Sequence, residues 1–102
     1  AQSTYRGTVR TAFREVADAV GAQQTTTERL DAETRQVQTR RDTLRLARRR
    51  YDAGYSSYLE VLDAQRTLFQ SELDRVDAQR ERLAATVDLY KALGGGWTAE
   101  AP

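Results

Sequence analysis

Two carboxylates, Glu60 and Asp63, stand three residues apart in Tyr58-Leu59-Glu60-Val61-Leu62-Asp63, a spacing that puts both on one face of a helix. Such a pair can pass protons or hold a hard cation, but either task needs a third ligand or a pocket. The chain has no histidine and no cysteine. That removes the commonest general base and metal ligand, and with it thiolate chemistry, disulfides and cysteine zinc sites. No catalytic residue, metal or cofactor is therefore expected, and the chain reads as a non-enzyme. The other concentration of charge is basic: Arg35, Arg40, Arg41, Arg45, Arg48, Arg49 and Arg50, interrupted by one acid, Asp42. Cations at a helix C-terminus complement the macrodipole, which is the simplest account of the run. A nucleic-acid surface would want interleaved aromatics and a basic balance overall, whereas the net charge is +1, so no nucleic-acid partner is expected. Gly94-Gly95-Gly96 follows no strand and precedes no lysine, so it is no phosphate loop.

These groups are positioned by a helix stop followed at once by a helix start. Gly54 suits the left-handed residue just past a helix C-terminus. Ser57 and Glu60 form a capping-box pattern, serine oxygen to the Glu60 amide and carboxylate back to the Ser57 amide. The chain must reverse between them, so the expected fold is all-α: a long antiparallel coiled-coil hairpin with helices over about 4–53 and 57–93 and its tip at 54–57, the first capped at Ser3 or Thr4. Residues 1–94 form the hairpin and 95–102 a glycine-rich tail. Apolar residues recur at alternating spacings of three and four. In the first helix the stripe runs Val9, Phe13, Val16, Val20, Gln23, Thr27, Leu30, Thr34, Val37, Arg41, Leu44, Arg48, Tyr51. In the second it runs Leu59, Leu62, Arg66, Phe69, Leu73, Val76, Arg80, Leu83, Val87, Tyr90. Folded around Tyr55, the two stripes match with no layer pairing two polar groups, and they place Arg45 near Asp63 and Arg40 near Glu72. Gly21 and the polar run after it predict a bend or fraying in the first helix. A second seam of Val61, Ala64, Leu68, Ser71, Arg75, Ala78, Arg82, Ala85, Leu89 and Ala92 lies on the opposite side of the second helix, so that helix has two neighbours, as in a row or ring of helices.

A hairpin of this composition, with 30% charged and 8% aromatic residues, buries too little to stand alone, and a partner or further copies are expected. No apolar run approaches the ~20 residues of a spanning helix, and no signal-peptide pattern opens the chain. With no initiator Met, the sequence reads as a piece of a longer protein. The isolated segment is expected to self-associate, most simply as two hairpins in a four-helix bundle.

Three ordered motifs carry a resemblance: Ala12-Phe13-Arg14-Glu15-Val16-Ala17-Asp18-Ala19, the tip Tyr51-Asp52-Ala53-Gly54 running into Tyr58-Leu59-Glu60-Val61-Leu62-Asp63-Ala64-Gln65, and Leu89-Tyr90-Lys91-Ala92-Leu93-Gly94-Gly95-Gly96-Trp97. Together they resemble the second-repeat hairpin of TolC-like outer membrane factors, the last motif being similar to the OprM-like multidrug-efflux branch. The resemblance implies a homotrimeric duct, barrelled in the outer membrane of a Gram-negative bacterium and prolonged into the periplasm as a tube of packed helices. This segment would lie in the periplasm, at the end that meets a periplasmic adaptor and, through it, an inner-membrane transporter for multidrug efflux or type I secretion. It implies docking through Gly54, Tyr55, Ser56, Ser57, Tyr58 and Leu59, and an aperture at Tyr51, Glu60 and Asp63. Ser56 stands where some members carry a basic residue, a role open to Arg48 or Arg45. The competing reading is a stand-alone coiled-coil interaction or scaffold module, the adaptor's own hairpin included.

Overall fold

A computed structural model describes residues 2–100, with side chains described over 9–94. The described residues form two helices, α1 (Gln2–Asp52) and α2 (Tyr58–Glu100), joined by a five-residue connection into the expected hairpin. α1 is unbroken through Gly21. There the hydroxyls of Thr25, Thr26 and Thr27 donate to the carbonyls of Gly21, Ala22 and Gln23 at 2.8–3.0 Å, absorbed into the helix they were expected to weaken. α1 begins ahead of Ser3 and Thr4, whose side chains lie outside the described residues. α2 does not stop at Leu93 but continues through the glycines to Glu100. Gly94 keeps a helical backbone, and the only positive-φ glycine among the described residues is Gly54. The helical share of the tail expected at 95–102 thus belongs to α2 as far as residue 100.

The chain divides into two compact units. The first comprises Ala1–Glu28 with Arg80–Pro102, the second Arg29–Gln79. In the second unit α1 buries Val37, Leu44 and Ala47, and α2 buries Val61, Ala64, Ser71 and Ala78. Leu44, Ala47, Val61 and Ala64 form one cluster beside the turn, with Leu68 packed on it. Burying a Val or Leu side chain is worth about 1.5–3 kcal/mol, so Val37, Leu44 and Val61 supply most of the apolar contribution here. Ser71 is admitted to this seam because its hydroxyl donates to the Leu68 carbonyl at 2.7 Å. In the first unit Ala85 is buried, and Ala12, Val16, Ala19, Leu89 and Ala92 are half-buried. Thr86 crosses to α1, its Oγ1 2.9 Å from the Gln23 Oε1 and also 2.9 Å from the Arg82 carbonyl. One hydroxyl proton serves one of these acceptors at a time.

This packing inverts the expected facing of α2. Leu59, Leu62, Phe69, Leu73, Val76, Leu83, Val87 and Tyr90, read as the surface toward α1, are all exposed, Phe69 at 62% and Leu59 at 72%. The seam read as outward is the one that meets α1. On α1 half of the reading stands: Val16, Leu30, Val37 and Leu44 are buried or half-buried, but their companions are Ala12, Ala19, Glu33, Arg40 and Ala47, each one residue before the Phe13, Val20, Thr34, Arg41 and Arg48 of the expected stripe. The physical reason is size. Alanine and serine let two helix axes approach closely, and close approach maximises contact between the pair. The bulky stripe of α2, roughly 150° round the helix from the packed seam by heptad position, is left without cover in the single chain.

Side-chain pairing changes with the rotation. Glu72 meets Arg41 at 3.7 Å, in place of Arg40. Arg45 meets Asp42 on its own helix at 3.7 Å, and Asp63 meets Arg66 at 2.9 Å, so the expected Arg45–Asp63 neighbours each find a nearer partner. The centre of reversal is retained, because Arg50 meets Glu60 at 3.6 Å across the turn.

Candidate functional site

The turn is built from its backbone. Gly54 takes φ 80°. Its amide donates to the Tyr51 carbonyl at 3.0 Å and the Tyr55 amide to the Arg50 carbonyl at 2.8 Å, the paired bonds of a Schellman stop. α2 then starts without the capping box. The Glu60 amide donates to the backbone carbonyl of Ser57 at 3.2 Å, and the Glu60 carboxylate is drawn across the turn to Arg50. A full positive charge on the facing helix attracts a carboxylate more strongly than one backbone amide.

Around this frame the tip residues separate into a core and a crown. The Tyr51 and Tyr58 rings pack at 5.2 Å between centroids, tilted by 59°, bracketing the turn. Ser56 is half-buried, whereas Tyr55 is 80% exposed and Gly54, Ser57, Tyr58 and Leu59 are also exposed. Beneath the crown an open groove of about 250 Å³ runs along one flank of the second unit, lined by Arg40, Thr43, Leu46, Ala47 and Arg50 of α1 and by Glu60, Asp63, Ala64 and Thr67 of α2. Glu60 and Asp63 thus share the groove, as their spacing requires. Of the arginines considered for the tip, Arg45 is occupied by Asp42 and Arg48 is exposed on the last turns of α1. Arg50, read only as part of the basic run, and Arg66, read only as a stripe position, are the cations beside the two acids. The signal was present for Arg50, since a reversal centred on Tyr55 sets it opposite Glu60. Among the described residues no group of three or more acidic side chains could hold a metal ion, and no helix is long and apolar enough to cross a membrane.

The tip thus carries an exposed aromatic crown over an acid-bearing groove, and α2 leaves an apolar stripe uncovered beside them. Comparison with known proteins gives the chain its family, for the sequence profile described as "Outer membrane efflux protein" matches residues 1–95. The chain belongs to that family. It is 46% identical over 94% of its length to the solvent efflux pump outer membrane protein SrpC of Pseudomonas putida, and 43% identical over 95% to the outer membrane protein OprJ of Pseudomonas aeruginosa. It spans about a fifth of the length of these curated relatives, 20% in both cases. Among solved structures, the crystal structure of a membrane protein from Pseudomonas aeruginosa matches with a TM-score of 0.74 and 41% identity, over 89% of this chain and 21% of that one.

Proposed function

We propose that this chain is the helical-hairpin segment of the outer membrane channel of an efflux pump, a passive conduit without chemistry of its own. The observation that carries the reading is the two-sided α2: one small-residue seam closed against α1 and one bulky apolar stripe left open, on a chain of this family. A helix with two seams needs two neighbours, and a closed ring of helices supplies them. In this reading the full-length protein is a trimer anchored in the outer membrane, the hairpin stands in the periplasm, and the stripe of Leu62, Phe69, Val76 and Leu83 packs against the next helix of the tube. The crown of Gly54, Tyr55, Ser56, Ser57, Tyr58 and Leu59 docks a periplasmic adaptor that links the channel to an inner-membrane transporter. Tyr51, Glu60 and Asp63, with Arg45 and Arg48 nearby, border the aperture, and the charged groove faces water. Solvents and antibiotics are the cargo named for relatives such as SrpC and ArpC, and amphipathic toxicants of that kind are the cargo proposed here.

The test is a full-length protein carrying Gly54→Val or Leu59→Asp, expressed at normal level in a strain lacking its own copy. Loss of drug or solvent tolerance, together with loss of adaptor cross-linking at the tip, is the expected result. Undiminished tolerance with both substitutions would refute the docking role.

A further inference from the structure

Two buried side-chain atoms among the described residues have no hydrogen-bond partner, Ser56 Oγ at the turn and Arg75 Nε within the second unit. Arg75 is a half-buried arginine on the packed face of α2, between Ser71 and Ala78, which are 4% and 0% exposed. A guanidinium carries five donors and no acceptor, so only an acceptor brought to it can compensate its burial. The acids nearest in the unit are otherwise engaged or misplaced. Glu72, one turn back, meets Arg41 at 3.7 Å, and Asp74 accepts from the Gln70 amide at 3.1 Å. Glu33 of α1 is half-buried, but it shares a heptad row with Arg40 and Ala47, which line the groove beneath the tip. Arg75 shares its row with Val61 and Leu68, which do not, so the two charges stand at opposite edges of the helix pair. What borders the edge of Arg75 is the open stripe. At 3.6 residues per turn, Glu72 and Gln65 come next round α2, and then Val76, Phe69 and Leu62, exposed at 40%, 62% and 45%. That edge holds Arg41 and Arg75 against the single acid Glu72.

We propose that Arg75 is the docking point for a carboxylate carried by the helix that covers the open stripe, an Asp or Glu lying outside residues 1–102. The inference rests on the reading above that a neighbouring helix of the tube seats on Leu62, Phe69 and Val76, and it adds what that helix must carry and at what level. A helix on the stripe runs past the Arg75 guanidinium, and the positive excess of that edge favours an acid there. Arginine suits the task because its planar fork takes a carboxylate through two parallel hydrogen bonds, and because it is more weakly hydrated than an ammonium group. Apolar contacts along the stripe tolerate sliding. One charged pair at the edge of the seam fixes the height of the partner helix.

The experiment uses the full-length protein carrying Arg75→Lys, Arg75→Gln or Arg75→Glu and, in a separate form, a photo-crosslinking phenylalanine analogue at position 69. Stability of the assembled channel is read as the temperature at which its oligomer comes apart in detergent. Arg75→Gln should lower that temperature by a few degrees, Arg75→Glu should lower it further by setting acid against acid, and Arg75→Lys should stay nearest the unmodified protein. Second-site changes that restore solvent or drug tolerance to Arg75→Glu should replace an acidic residue outside residues 1–102 with a basic or neutral one. The analogue at position 69 should crosslink to the helix bearing that acid. If it crosslinks to a neighbouring helix while Arg75→Gln and Arg75→Glu come apart at the unmodified temperature, water alone serves the guanidinium and the proposal alone is overturned. Restoring changes at Glu33 or Glu72 would make the pair internal and overturn it equally. If position 69 crosslinks to no other helix, the stripe is uncovered in the assembled protein, and the tube reading falls together with the proposal.

Discussion

Ala78 is the residue through which the facing of the two helices can be tested. It is fully buried, at 0% exposure, in the small-residue seam of the second unit. Ala78→Leu adds three carbon atoms where there is no free surface to receive them, and overpacking of that kind costs about 1–3 kcal/mol. For a chain of this size the loss corresponds to a fall of roughly 4–20 °C in Tm. Ala32→Leu, the same change on an exposed face of α1 in the same unit, should stay within about 0.5 kcal/mol of the parent. Phe69→Ala supplies the converse, because a phenylalanine 62% exposed leaves no cavity and should cost less than about 1 kcal/mol in dilute chain. Helicity by circular dichroism during urea and thermal unfolding reads all three, repeated over a hundredfold range of concentration. The Ala78→Leu penalty should not depend on concentration. That of Phe69→Ala should grow with it, since the exposed stripe stabilises only when a second copy covers it. If Phe69→Ala instead costs about 3–5 kcal/mol at every concentration while Ala78→Leu is harmless, the bulky stripe is the packed one and the facing described here is wrong.

At Gly54 an added Cβ meets nothing within 4 Å, so Gly54→Ala isolates the backbone term of a residue at φ 80°. It should destabilise by about 1–2 kcal/mol and Gly54→Asn by less, in the same unfolding assay. Gln23→Leu leaves the Thr86 hydroxyl its Arg82 carbonyl acceptor and should cost less than about 1 kcal/mol, and adding Thr86→Val should change that by no more than about 0.5 kcal/mol. Sedimentation of the isolated chain should show mass rising with concentration, two hairpins being the simplest product, and a monomer at all concentrations would contradict the docking role of the open stripe.

The turn was legible in the sequence because its determinants are local. A glycine flanked by helix formers and followed by a start signal specifies reversal wherever the rest of the chain goes, and the centre at Tyr55 agrees with Arg50 lying opposite Glu60. The facing was not legible from apolar strength. Leu and Phe outrank Ala and Ser on any hydrophobicity scale, so the stripe of Leu62, Phe69 and Leu83 was read as the hairpin interface, although the pair alone is better joined through Ala64, Ser71, Ala78 and Ala85. The heptad row of alanines was itself the available sign. At the site, the Ser57–Glu60 pattern was misleading because a cap can be read from four residues, while the arginine that captures Glu60 comes from another helix. The family was legible because its motifs are strung along nearly the whole chain.

A seam made of nearly identical small residues has a further property. Ala64, Ser71, Ala78, Ala85 and Ala92 recur every seven residues and offer almost the same knob each time, so at these positions a slide of one heptad exchanges like for like, whereas the alternate row of Val61, Leu68, Arg75, Arg82 and Leu89 does not repeat. The alanine and serine row grips without counting. Indexing of one helix against the other falls to the features that break the repetition, the unlike Val61, Leu68 and Arg75 of the alternate row, the two hydrogen bonds that fix the length of the Gly54 turn and the off-seam pairs Arg41–Glu72 and Gln23–Thr86. Inserting residues into the turn should therefore free the helices to slip, while substitutions confined to the alanine and serine row loosen them without changing their alignment.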